Sequence, residues 1–398
     1  MRGRRPGAGS TVRGRTLTPA ERYLELGLRL GRHVDGLVDA YYGPLELKAQ
    51  VDAEDVVEAS QLADDARVLL GELPDGWLRD QIRACETYAR VLAGEKVDYA
   101  DEVEACYGVR PELTPIAVYE EAHAELEELL PGEGSLVERR ENWRAQQLVD
   151  GGIALAALAD LLPLLRARTS ELVALPAGER VMLEPVDDEP WWAFNYYQGD
   201  LVSRVVLNVD VPTTGFDLIH LAAHEVYPGH HTEHSLKEQL LLRDAGALEE
   251  AIQLVPTPQA LVSEGIAEVG LDVVLDADAR AEAYVVLARH GIEFDVDLTE
   301  RIAKVSEKLG TAGDDAALLI HADGASEEDA KRHIERWGLA TPERAARGVR
   351  FVTDPTWRAY AITYTAGERL CRGFVDGDPA RFRQLLTEHV RVSELQSG

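Results

Sequence analysis

Apolar residues recur at three- and four-residue intervals along most of the chain, the pattern of amphipathic helices laid on a core. The stretch "TPAERYLELGLRLGRHVDGLVDAYY" sets the type: Thr18 stands ready to cap, Pro19 takes the first helical position and Glu21 closes a capping box. Thr114 and Pro115 open another helix in the same way, ending near "LLPGEG", and a long helical pattern runs from Ser135 to about Arg166. "SEEDAKRHIERWG", "TPERAARGVRFV" and "DPTWRAYAITYTAGERLCRGF" carry the same periodicity towards the C-terminus. No repeat of fixed period is present, and the expected fold class is mainly α.

The pattern changes in the middle. "EPWWAFNYYQGDLVSRVVLNVDVPTTG" is rich in Trp, Tyr, Phe and Val and ends in turn residues, which predicts two or three strands. A small antiparallel sheet over about residues 180–212 is therefore expected directly ahead of the helix "FDLIHLAAHEVY", whose start falls near Thr214 or Asp217. Residues 17–398 read as one large helical domain. Residues 1–16, dominated by Gly, Pro, Arg and Ser, read as a disordered basic tail.

Charge and composition narrow the partners. The chain of 398 residues carries 71 acidic and 41 basic residues, a formal charge of -30. Nucleic acid is excluded as a main partner, because phosphate binding needs a basic surface; an anionic membrane surface is disfavoured for the same reason. No apolar run approaches about 20 residues, so no membrane helix is expected. Cys85, Cys106 and Cys371 are too few and too scattered for a disulfide framework or a thiolate zinc cluster. The basic start is followed by no apolar segment of the secretory kind, and a reducing cytoplasm is the expected setting.

The candidate chemistry lies in "AAHEVYPGHH", Ala222 to His231. It approaches the zinc-protease signature H-E-x-x-H but carries Pro228 where the second histidine belongs. In a straight helix His224 and His230 stand about 240° and roughly 9 Å apart, while His224 and His231 share a face at roughly 10 Å. Neither pair can share an ion about 2.1 Å from each nitrogen. The helix cannot be straight, however. Pro228 removes a donor and clashes with the carbonyl of His224 one turn back, and Gly229 supplies permissive dihedrals. A bulge after Tyr227 that absorbs two residues brings His230 to the position of the second ligand. Glu225, beside His224, is placed to activate a metal-bound water. Downstream, "LVSEGIAEVGLDVV" offers Glu264 and Glu268 as third-ligand candidates on one face of a helix whose apolar residues predict burial.

"HEVYPGHH" followed by "SEGIAEVG" resembles the bacterial family called domain of unknown function 885, whose motifs are H-E-x-x-P-G-H-H and E-G-W-A and which is grouped with the gluzincin metallopeptidases. The likeness extends to "YEEAHAELEELLPGEGSLVERRENWR", "VVLNVDVP" and "WRAYAITYTAG". It implies a Zn2+ ion held by His224, His230 and Glu264, with Glu225 as base and Tyr364 as hydrogen-bond donor to an oxyanion. Two departures stand out: Ile266 replaces the family's usual Trp, and "WRAY" its W-P-G-Q. The expected function is a zinc-dependent hydrolase, a peptidase or amidase cleaving small peptides by a metal-activated water. Asn208, on a strand expected to pair with an extended peptide, His231 and Arg358 are the expected substrate-contacting residues. The alternatives are a non-catalytic metal- or peptide-binding protein and a metal-dependent biosynthetic enzyme on the same scaffold.

Overall fold

A computed structural model describes residues 11–12, 15–189 and 191–397. Residues 1–10, 13 and 14 of the expected tail lie outside the described residues; Thr11–Val12 pairs antiparallel with Arg15–Thr16. Helix makes up 63% of the structure, which is mainly α as the periodicity predicts. The first long helix, Pro19–Leu30, starts on the expected capping box: Thr18 Oγ1 accepts from the Glu21 amide and Glu21 returns a carboxylate to the Thr18 amide.

The long pattern from Ser135 is two helices, Leu136–Ala145 and Gly151–Leu172. Between them Leu148–Val149 pairs with Thr213–Thr214, and the Asp150 carboxylate caps the second helix through the amides of Gly152 and Ile153. A capping aspartate starts the second helix there although the apolar period continues across the gap. The C-terminal pattern also divides. Residues 354–361 form turns, and helix resumes only at Ile362.

Five strands frame the central part: β1 (Val38–Tyr41), β2 (Arg180–Val186), β3 (Ala193–Tyr197), β4 (Val202–Asn208) and β5 (Ile252–Leu254). β4 is the middle of a three-stranded sheet, antiparallel to β3 and parallel to β2. The sheet ahead of the histidine helix is thus present, with its β2 edge running parallel. β1 and β5 form a separate antiparallel ribbon, in which the register slips at a bulge between Val38 and Ala40.

Four helices position the residues of interest: α1 (Gly215–Glu225), α2 (His230–Lys237), α3 (Pro258–Val274) and α4 (Ile362–Val375). α1 begins on a Thr214–Asp217 capping box, so both expected start residues take part. α3 and α4 pack backbone to backbone. A methyl group on Gly265 would lie 2.4 Å from the Gly367 carbonyl, and one on Gly367 would lie 2.5 Å from that of Leu261. Around this contact Leu261, Val262, Ile266, Ala366, Cys371 and Phe382 belong to one apolar cluster. Tight packing there fixes the face of α3 that carries Glu264 relative to Tyr364 in the first turn of α4 and Tyr360 in the turn before it.

Candidate metal centre

The break between α1 and α2 decides which histidines meet. α1 ends at Glu225, two residues earlier than the expected bulge, and α2 begins at His230. In between, the amides of Val226 and Tyr227 both point to the Ala222 carbonyl, and the Gly229 amide bonds to the Ala223 carbonyl at 2.8 Å. The Tyr227–Pro228 peptide is cis. Gly229 packs so closely on α1 that a methyl group there would lie 1.9 Å from the His224 carbonyl oxygen. Glycine is required here for close approach, and that approach folds α2 back beside the end of α1.

The fold-back brings His224, His230 and Glu264 together, with one ligand atom from each lying within 4.8 Å of the others. His224 Nε2 is 3.5 Å from Glu264 Oε2, and His230 Nε2 is 3.6 Å from Glu264 Oε1. The two imidazoles stand nearly perpendicular, 4.8 Å between centroids.

Each histidine is held from behind by its other nitrogen. His224 Nδ1 faces Glu268 Oε1 at 3.4 Å, and Glu268 also reaches His220 Nε2 at 3.3 Å. His230 Nδ1 is 3.2 Å from Ser263 Oγ, which donates to Glu233 Oε2 at 2.6 Å; Glu233 in turn pairs with Lys237 at 2.7 Å. Since the Ser263 proton goes to Glu233, the His230 proton sits on Nδ1 and its Nε2 lone pair faces Glu264. A histidine anchored at one nitrogen and bare at the other is the arrangement a metal ligand needs.

The carboxylate between them is under-satisfied. Glu264 Oε1 accepts from the Tyr360 hydroxyl at 2.5 Å, but Oε2 is buried with no hydrogen-bond partner among the described residues. Burial above all, helped by Glu268 and Glu225, raises the Glu264 carboxyl to about 7 against the pull of His224 and Tyr360. Burial disfavours a charged His224, yet the carboxylates of Glu268, Glu264 and Glu225 outweigh it and hold the imidazolium up to about 10. His230 is driven well below its ordinary value by burial, then by His224 and His234. Without an ion, one proton on His224 is the local counter-charge to the carboxylates. A divalent cation would take that place and release the proton. Two imidazole nitrogens and one carboxylate oxygen form the three-ligand set of an open zinc site, and the residues present fit it.

Glu225 and Tyr364 lie at the same centre. Glu225 is buried, its backbone carbonyl accepts from Asn195 Nδ2 of β3 at 2.6 Å, and among the described residues no hydrogen bond or ion pair reaches its carboxylate. Burial, then Glu268, raises its carboxyl against the opposing influence of His224. Tyr364 is 38% exposed, and its ring meets that of Tyr360 edge to face at 5.7 Å. Glu264, Glu225 and Glu268 all add to the burial that raises its hydroxyl pKa.

The three expected substrate-contacting residues fall elsewhere. His231 is fully buried, with Nδ1 on Ser203 Oγ and Nε2 on Glu179 Oε2, both at 2.8 Å. No ring nitrogen remains for a substrate. Asn208 is on the central strand, so it cannot receive a peptide as an added edge; its amide donates to the carbonyls of Glu189 and Trp191, and its oxygen accepts from the Asp210 amide. Arg358 is paired with the buried Glu102 through two nitrogens. The sequence reading missed Tyr360, whose four-residue spacing from Tyr364 was the available signal. It also missed Ser263 and Glu233, which nothing local distinguishes from neighbouring polar residues.

No family model matches the chain, and no curated protein does. Two solved structures share its fold, each described as a "putative lipoprotein". One, from Colwellia psychrerythraea, is 14% identical with a TM-score of 0.51 over 86% of this chain, which spans 66% of that protein's length. The other, from Shewanella oneidensis and described as of unknown function, is 11% identical with a TM-score of 0.50 over 96% of this chain and 73% of its own. At these identities the likeness extends to the fold alone. Among the described residues no helix is long and apolar enough to cross a membrane.

Proposed function

We propose that this protein is a zinc-dependent hydrolase of peptide or amide bonds, with His224, His230 and Glu264 as metal ligands. The observation that carries the proposal is the pair of imidazole Nε2 atoms directed at one buried carboxylate, whose Oε2 has no hydrogen-bond partner among the described residues. A zinc ion bound there would polarise a carbonyl and acidify a water. Glu225, its carboxyl raised from the ordinary value chiefly by burial, takes the water's proton and returns it to the leaving amine. Tyr364 donates its hydroxyl to the oxygen that gains charge as the carbonyl is attacked. Tyr360 fixes Glu264 through its hydroxyl, and Glu268 and Ser263 fix the two imidazoles.

A screen of a mixed-peptide library with zinc-loaded, untagged protein tests this reading, with Glu225→Gln as control. The expected result is cleavage by the wild type and none by a variant that still holds zinc. Zinc-loaded wild type that leaves every peptide intact would shift the reading to a binding protein.

A further inference from the structure

The candidate metal centre uses one nitrogen of His224. The other nitrogen belongs to a second group, with His220 and Glu268, in which one ligand atom from each residue lies within 4.8 Å of the others. The same two helices build it. His220 is one turn before His224 on α1, and Glu268 is one turn after Glu264 on α3. A histidine–glutamate pair is thus repeated one turn along each helix. His220 Nε2 is 3.3 Å from Glu268 Oε2, and His224 Nδ1 is 3.4 Å from Glu268 Oε1. The two imidazoles stand 5.7 Å apart between centroids, at 66°.

These separations set the group apart from ordinary histidine–carboxylate pairs in the molecule. His389–Glu250, His231–Glu179, His290–Asp160 and His333–Asp315 meet at 2.7, 2.8, 2.9 and 3.2 Å. Those are hydrogen-bond lengths, about 2.7–3.2 Å. Among the described residues, the pairs that stand further apart are the two of this group and the two of the first, at 3.3, 3.4, 3.5 and 3.6 Å. Ligands about 2.1 Å from a tetrahedral ion lie about 3.4 Å from one another. The spacing therefore suits an ion better than a shared proton. No lysine or arginine among the described residues pairs with Glu268. Arg372, whose charge reaches it, is committed to Asp272 and Glu368, both at 2.8 Å.

We propose that His220 Nε2, the Glu268 carboxylate and His224 Nδ1 hold a second divalent transition-metal ion, so that the His224 imidazole bridges two ions. The bridge rests on the metal reading of the first site. The second ion displaces the Nδ1 proton of His224, which an ion on Nε2 acidifies, and the proton leaves to solvent. The charges then balance: two divalent ions face the carboxylates of Glu225, Glu264 and Glu268 and one imidazolate. Two imidazole nitrogens and a carboxylate select zinc-like ions over magnesium or calcium. The His220 side chain is 36% exposed and that of Glu268 22%, so water completes the coordination. The same exposure, with the proton lost, makes this the weaker site. It fills only when free metal is in large excess over the dissociation constant of the first, and it empties on dialysis.

Cobalt(II) takes the nitrogen and oxygen ligands of zinc and is paramagnetic, so one probe reads both content and bridging. Untagged wild type, His220→Ala and Glu264→Ala would be equilibrated with excess cobalt, and bound metal counted before and after dialysis against metal-free buffer. The wild type should hold about two ions per chain in excess metal and about one after dialysis. His220→Ala should hold about one in both conditions, and that retained ion shows that the variant folds. A chain of charge -30 attracts divalent ions to its surface, so the difference between the two proteins is what counts. Spin coupling through the shared imidazole should bring the electron paramagnetic resonance signal of doubly loaded wild type below that of two isolated ions. A single ion in excess cobalt, or a second ion that survives His220→Ala, overturns the second site. Two ions without coupling overturn the bridge. No ion left in the wild type after dialysis, or the same retained ion in Glu264→Ala, overturns instead the reading of the first site, and the bridge with it.

Discussion

His230 and His231 are consecutive residues at the start of α2, and they face two different polar clusters. On the His231 side Glu179 accepts from His231 and from the Tyr227 hydroxyl at 2.7 Å and pairs with Arg166 at 2.6 Å, while Ser203 closes the other imidazole nitrogen. Each of the three groups that reach Glu179 stabilises its charge, and it is held down to about 2 although burial opposes this. On the His230 side, among the described residues, Glu264 keeps an oxygen without a hydrogen-bond partner, its carboxyl is raised to about 7, and no hydrogen bond reaches the Glu225 carboxylate. The first cluster is complete as protein. On the proposed reading, an ion and a substrate complete the second. Closed polar networks hold folds together, whereas open ones carry a cost that function explains.

That contrast predicts which substitutions damage activity and which damage stability. The largest effect is expected from Glu225→Gln, which should lower turnover of a substrate found by screening by about 10²- to 10⁴-fold, the range of a lost general base, with zinc content unchanged. Steady-state kinetics alongside elemental analysis checks both halves; turnover at the wild-type rate would remove Glu225 from the chemistry. In the closed cluster, Glu179→Ala leaves His231 buried without its carboxylate and should cost about 3–5 kcal/mol in denaturant unfolding. A loss below about 1 kcal/mol would mean that this cluster is not structural. Zinc at about one hundred times its dissociation constant should raise the unfolding free energy of the wild type by about 2.7 kcal/mol and that of Glu264→Ala not at all. Equal stabilisation of both proteins would place the ion elsewhere.

A further effect is expected on the acid side. Glu179 has a folded value of about 2 against an ordinary 4.5, so the unfolded chain binds its proton first as pH falls. The stability it contributes is therefore complete above about 4.5 and drains away towards pH 2. In Glu179→Gln that portion of the acid dependence should vanish, seen as a flatter plot of unfolding free energy against pH in this window. An unchanged slope would assign the acid dependence to other carboxylates.

Local signals in the sequence translated well. Thr18 with Glu21, and Thr214 with Asp217, cap helices where they stand because the partners are three residues apart. Pro228 and Gly229 announce a break, and helix geometry alone then disqualifies a straight path from His224 to its partner. The glutamate on α3 was legible as one of two, since its apolar neighbours predict burial without saying which carboxylate faces which imidazole nitrogen. Features that depend on distant residues were not legible. The partner of His231 is 52 positions away, and that of Arg358 is 256 away. The central place of β4, which removes Asn208 from the edge, follows from a parallel pairing with β2 that no local pattern encodes.

The claim on which the rest depends is that His224, His230 and Glu264 bind one metal ion. Elemental analysis of untagged protein, saturated with zinc and then dialysed, tests it most directly when Glu264→Ala is measured beside the wild type. The account predicts about one zinc per chain in the wild type and close to none in the variant, since a site of three ligands cannot spare its carboxylate. Wild-type zinc well below half an equivalent with no uptake on addition, or the same content in both proteins, would contradict it.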